Sequence, residues 1–211
     1  MGRWRRRYYD LFSRIYDLII RLHSKDEGAA LRDFLVTRTG MGRGDRVLDI
    51  CTGTGSVALA AHAAVAPEGM VVGLDFSFGM LGKASQKARE RGLSRMFLIV
   101  GDAAAMPFRT GAFGCVTCSH AMYELPSDAR TNALGEVQRV LADRGRFFMM
   151  EHCKPTAPFI RFFYYVRLMS MGSPENRRFA EDETPFIERF FREVTMEPSP
   201  TGKSKLISGV K

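Results

Sequence analysis

The segment RVLDICTGTGSVALAAH, residues 46–62, constrains the fold more than any other stretch of the chain. An apolar run ending in an acid, a turn holding two glycines and an alanine-rich stretch read as strand, turn and helix. In an open α/β sheet such turns lie beyond the carboxyl ends of the strands, where ligands bind. Gly53 and Gly55 carry no Cβ, so the backbone there can approach a ligand closely. Gly53, Gly55 and Ala58 also satisfy the dinucleotide pattern G-x-G-x-x-A, which leaves more than one adenosine compound open.

The rest of the chain repeats the rhythm. Apolar strands are expected at 46–50, 70–75, 95–100, 113–119 and 146–152. Between them lie helices over 56–66, from the Ser77 cap to about Arg91, and from near Ser127 to a stop by Gly145. Apolar strands separated by helices imply parallel βαβ units with both sheet faces covered. The C-terminal rhythm differs: strands near Glu193–Glu197 and Lys205–Val210 are joined by so short a Pro/Gly turn that they must run antiparallel. A dinucleotide fold would normally continue βαβ, so this ending discriminates between the two.

At 211 residues the chain suits one well-packed domain. Its net charge of +8 is uneven, because residues 1–25 alone contribute +5. The near-neutral remainder argues against nucleic acid as a partner. Four cysteines (Cys51, Cys115, Cys118, Cys153) make no disulfide framework. Cys115 and Cys118 form a C-x-x-C, but residues three apart on a strand face opposite sides, so both read as packing residues and no metal site is expected. With no signal peptide and no run of the ~18 apolar residues that span a bilayer, a cytoplasmic protein is expected.

Acids at successive strand ends separate the two readings of the glycine turn. Asp75 ends the second strand and is placed to accept from both hydroxyls of a ribose in either reading. Asp49, just before the turn, is awkward beside a pyrophosphate and helpful beside an ammonium group. Asp102, after the third strand, can accept from an adenine amino group. Three carboxylates around one pocket suit a cationic ligand such as S-adenosylmethionine. The bland alternative, that Asp49 and Asp102 only cap loops, accounts for one acid more easily than for three.

The runs VLDICTGTG, VVGLDFSFGMLGKA, VGDAAAMPF, FGCVTCSHAMYEL and LGEVQRVLADRGRFFMMEH resemble the successive motifs of class I S-adenosylmethionine-dependent methyltransferases. They are most similar to the ubiquinone/menaquinone-biosynthesis C-methyltransferase group. The resemblance covers about residues 8–152 and implies a Rossmann-like, doubly wound, seven-stranded α/β sheet, mostly parallel with a C-terminal antiparallel hairpin strand. It implies that Gly53–Gly55 with Thr54 bracket the methionine end of the donor, Asp75 holds the ribose, Asp102 and Ala103 read the adenine, and Ser119 lines the cofactor. Asp49, Thr52, Phe76, Ser77, Met80 and Tyr16 complete the expected donor site, with S-adenosylhomocysteine as product. Cys51 stands where many members have the first glycine of the turn, and HAMYELPSD replaces the quinone enzymes' Asn-Val-Thr-Asp-like run. The resemblance therefore fixes the donor more firmly than the acceptor.

Residues 1–42 are expected to form a basic, aromatic helical lid, and 43–211 the donor-binding domain with an acceptor-side insertion at about 155–183. The aromatic run PFIRFFYYVRLMSM in that insertion favours a small lipophilic or aromatic acceptor, quinol-like or a phospholipid headgroup. The arginine-rich start also suits peripheral contact with an anionic membrane. His120, just past the fourth strand, is the leading candidate base, with Glu124, Glu151, His152, Tyr9 and Tyr16 behind it. Competing readings are a relative that binds the donor without transferring, an NAD(P)-dependent oxidoreductase and an RNA methyltransferase. Nothing in the sequence decides the oligomeric state.

Overall fold

A computed structural model describes residues 27–153 and 182–211. The expectations placed on 1–26, Tyr9 and Tyr16 among them, and on nearly all of the aromatic insertion lie outside these residues. The described elements are α1 (Glu27–Thr39), β1 (Arg46–Ile50), α2 (Ser56–Val65), β2 (Met70–Asp75), α3 (Phe78–Glu90), β3 (Met96–Val100) and β4 (Phe113–Ser119). A 3₁₀ turn (Met122–Glu124) leads to α4 (Ser127–Val140), β5 (Leu141–His152), α5 (Thr184–Ile187), β6 (Arg192–Pro198) and β7 (Ser204–Val210).

The strands form one sheet in the order β3-β2-β1-β4-β5-β7-β6. β1 pairs in parallel with both β2 and β4, so the chain reverses its direction of travel across the sheet at β1. That is the switch point where loops diverge and leave a crevice. β7 runs antiparallel to β5 and to β6, closing the sheet with the expected hairpin.

Strand alternation divides the apolar residues between two cores. Leu48, Ile50, Val116, Cys118, Phe147 and Met149 face the α4 side, where Leu134, Val137 and Val140 cover them. Val47, Val71, Cys115, Phe148 and Met150 face the other side and meet Val57, Ala58, Ala61 and Val65 of α2 and Leu35 of α1. Cys115 and Cys118 thus enter opposite cores, as their spacing requires. Fully buried Leu35 makes α1 part of this packing.

Local signals account for the boundaries of α3. The Ser77 hydroxyl accepts from Met80 N at 3.2 Å, and Gly92 reverses the chain at φ +61 after the last turn. One boundary differs from expectation. Leu141 reads as the last apolar position of α4, yet it is the first residue of β5, with φ −68 and ψ 137. It pairs with Phe113 before the register shifts to Cys115 opposite Arg146. Helix and strand both point Leu141 into the same core, so periodicity cannot separate them; the irregularity accommodates Asp143 and Arg144, the latter at φ +60.

Candidate active site

One part of the site is built from the ends of β1, β2 and β3. Thr52 N donates to Leu74 O at 3.0 Å, which ties the turn after β1 to β2. Asp75 then accepts from Gly53 N at 2.8 Å through Oδ2 and from Ser77 N at 2.9 Å through Oδ1. One carboxylate therefore joins the glycine turn to the start of α3. Gly53 has φ +55, and a Cβ built there meets no described atom within 4 Å, so the turn opens onto space. Gly55 serves packing instead: at φ +77, an added Cβ would lie 2.8 Å from Ala84 Cβ of α3.

Asp49 lies beneath the turn and is almost fully buried. Its Oδ2 accepts from Thr52 Oγ1 at 2.5 Å and its Oδ1 from Thr117 Oγ1 at 2.7 Å. Burial pushes its carboxyl up to about 6, the two threonine hydrogen bonds oppose that rise, and the Asp75 charge adds to it. Asp102 Oδ1 accepts from Ala104 N at 3.0 Å, so this acid does cap its loop. Ala103 and Met80 are buried in packing, and Phe76 is half-buried. Thr54 is buried, and its hydroxyl accepts from Lys87 Nζ at 3.0 Å.

Next to it, beyond β4, β5 and β7, stands a second group of polar side chains. His120 N donates to Met150 O at 2.8 Å, and the residue has φ +52. Its Nδ1 shares a hydrogen bond with Ser119 Oγ and its Nε2 with Ser204 Oγ, each at 3.0 Å. The His152 ring lies 4.2 Å away, with the Tyr123 ring 5.9 Å from His152. Burial, helped by His152, lowers the His120 imidazole to about 3 and keeps it neutral at physiological pH.

Glu151 points to the α4 side and accepts from Met122 N at 2.9 Å. Burial and the Glu183 charge push its carboxyl up to about 8, against hydrogen bonds from Met122 and Tyr123. Its Oε2 is buried with no hydrogen-bond partner among the described residues. Glu183, also raised chiefly by burial, pairs with Lys205. Buried Arg130 donates to Met122 O at 3.1 Å and to Leu125 O at 2.8 Å, bracing the loop that carries the 3₁₀ turn.

The structure therefore brings Asp49, Thr52, Gly53, Thr54, Gly55, Asp75, Phe76, Ser77 and Met80 together around the β1 turn. Asp102 and Ala103 stand at the next strand end, and Ser119 with His120 at the fourth. Thr117, Lys87, Arg130 and Ser204 escaped the sequence reading. A buried-strand hydroxyl between apolar neighbours and an arginine on the apolar face of α4 are the signals for Thr117 and Arg130. Ser204 needs the β5–β7 register, which no local pattern carries.

A model of the ubiE/COQ5 methyltransferase family matches residues 6–183. The chain belongs to that family. It is 34% identical over 162 residues to the demethylmenaquinone methyltransferase of Symbiobacterium thermophilum, covering 76% of this chain and 64% of that protein. The demethylmenaquinone methyltransferase of Geobacillus kaustophilus is 36% identical over 159 residues, covering 75% of this chain and 67% of its own length. The chain thus spans about two thirds of these ubiE/COQ5 relatives. In architecture it is similar to a crystal structure of a SAM-dependent methyltransferase from Aquifex aeolicus, with TM-score 0.69 and 18% identity over 85% of this chain and 88% of that one. That likeness supports the fold.

Proposed function

We propose that this chain transfers a methyl group from S-adenosylmethionine to a lipophilic, quinol-like acceptor. The observation that carries the reading is the join at Asp75, whose carboxylate bridges Gly53 N and Ser77 N beside an open glycine turn, in a chain of the ubiE/COQ5 family. Bound there, S-adenosylmethionine supplies an electrophilic methyl group on a sulfonium. Asp75 holds the ribose, Asp102 and Ala103 read the adenine, and the turn through Thr54 receives the methionine end, lined by Ser119. Asp49 contributes its field from below, since its oxygens already accept from two threonines.

On the acceptor side His120 takes the proton. Its ring is neutral and both nitrogens are held, Nδ1 by Ser119 and Nε2 by Ser204, so the proton passes to the ring's lone pair through the serine hydroxyl that donates to it. Burial makes it a weak base, which suits an acceptor carbon that becomes acidic on gaining a methyl group. That the two relatives are demethylmenaquinone methyltransferases supports a quinone-type acceptor. The basic first residues would bring the enzyme to the membrane periphery, where such acceptors partition. Among the described residues, no helix is long and apolar enough to cross a membrane.

Calorimetric titration of S-adenosylmethionine and of NAD tests the donor, and S-adenosylhomocysteine release over a panel of a demethylmenaquinol, phosphatidylethanolamine and tRNA tests the acceptor. The expected result is donor binding without NAD binding, and turnover with the quinol. NAD binding without donor binding overturns the donor; binding without turnover on any acceptor overturns the enzyme; turnover confined to the lipid or the tRNA overturns the acceptor class.

A further inference from the structure

We propose that Cys51 and Cys118 form a reversible oxidation site, a disulfide closed under the donor-binding turn that weakens donor binding until it is reduced. The argument begins with strand alternation. Ile50 and Cys118 are aligned neighbours on β1 and β4, and both face the α4-side core. Strict alternation would send the next residue, Cys51, to the opposite face. Cys51 has φ +52, an uncommon conformation for a residue with a Cβ, and its side chain packs against the same core as Cys118. A hydrogen bond with Cys51 and burial together push the Cys118 thiol well above its ordinary range. One residue of offset between adjacent strands puts the two Cα atoms roughly 6 Å apart, inside the span a disulfide tolerates.

The pair is asymmetric in a way that orders the chemistry. Cys51 is half-buried and Cys118 has no exposure, so a small oxidant reaches Cys51 first. Hydrogen peroxide converts the Cys51 thiolate to a sulfenic acid and leaves as hydroxide, which takes up a proton to become water. The Cys118 sulfur then attacks the Cys51 sulfur, the S–O bond breaks, and the Cys118 proton leaves with that oxygen as a second water. A dithiol reductant reverses the change by thiol–disulfide exchange.

The consequence for the turn follows from connectivity. Cys51 precedes Thr52, whose hydroxyl donates to Asp49, and Gly53, whose N donates to Asp75. A disulfide demands a Cβ–S–S–Cβ dihedral of about ±90° and Cβ atoms about 3.8 Å apart, which two packed thiols need not meet. Closing it therefore rotates the left-handed Cys51 and re-aims Thr52 and Gly53, which follow it, against the two carboxylates that set the turn. Cys115 faces the other core and Cys153 lies beyond β5, so both are internal controls.

The effect on donor binding rests on the function proposed above; formation of the bond does not. The test treats the whole native chain with hydrogen peroxide, counts free thiols, maps the cross-linked peptide by mass and titrates S-adenosylmethionine before and after dithiothreitol. Thiols are expected to fall from four to two with Cys51 joined to Cys118. Donor affinity should drop by about tenfold or more and return on reduction. Cys118→Ala and, separately, Cys51→Gly, which also relieves the positive φ, should keep their donor affinity after peroxide. A different cross-link, no cross-link, unchanged affinity in the cross-linked protein or equal loss in both variants overturns the proposal. A correct cross-link in a protein that never binds the donor bears out the oxidation site and overturns the donor reading, and the switch with it.

Discussion

At the ends of β1, β2 and β3, carboxylates commit oxygens to backbone N–H groups and threonine hydroxyls. At the ends of β4 and β5 stand an imidazole and a carboxyl group that burial holds uncharged near neutral pH. The same sheet thus treats polar side chains in two ways on either side of its switch point. Hydrogen bonds to an anion favour its charged form and burial favours the neutral one. Asp49, with two threonine donors, is raised only to about 6, whereas burial takes Glu151 to about 8 and His120 to about 3. The first arrangement suits a cationic methyl donor. The second would leave no unsolvated charge beside the lipophilic acceptor proposed above.

The largest test of that contrast is the pH dependence of stability. Glu151 has a folded value of about 8 against an ordinary 4.5, so the folded state holds the proton through that window. Its contribution to stability is full below 4.5 and is lost as pH rises through 8, by about 1.4 kcal/mol per pH unit inside the window. His120 runs the other way: lowered from 6.5 to about 3, it contributes fully above 6.5, and that contribution is lost as pH falls through 3. In chemical denaturation at stepped pH, Glu151→Gln should gain on the parent as pH climbs toward 8, and His120→Gln as pH drops toward 3. Parallel curves for parent and variant would remove the contrast.

Next in size is the join itself. Asp75→Ala deletes two charge-assisted hydrogen bonds to the turn, worth together about 3 kcal/mol, so donor affinity should fall on the order of 100-fold by calorimetry. An unchanged affinity would take the donor away from this crevice. Gly55→Ala probes packing rather than charge: with φ +77 and Ala84 Cβ at 2.8 Å, it should cost about 2 kcal/mol of stability, read as a lowered Tm. The smallest effect belongs to Thr117→Val. Removing the hydroxyl that donates to Asp49 should shift upward the midpoint, near 6, below which donor binding weakens, with a change of about 1 kcal/mol or less at neutral pH.

The half around the β1 turn was largely legible because its signals are local. Asp49, the glycine turn, Asp75 and the Ser77 cap fall within two short runs, and β1, β2 and β4 begin and end where the apolar runs do. The half around His120 is assembled across the chain. His120 meets Ser204 only through the antiparallel register of β5 with β7, which sets His152 opposite Ser204. Lys205 reaches Glu183 by the same route. Neither pairing leaves a periodicity to read. Leu141 shows the converse problem, in which the pattern is present and two structures satisfy it.

The hydrogen bond from the last strand to His120 also gives the two halves different birthdays. Every strand end around the glycine turn has been synthesised once Ser119 is added. The imidazole across from it must wait 84 residues more for the hydroxyl that steadies its Nε2. A nascent chain halted between those points carries the residues of the turn and lacks the brace of the ring.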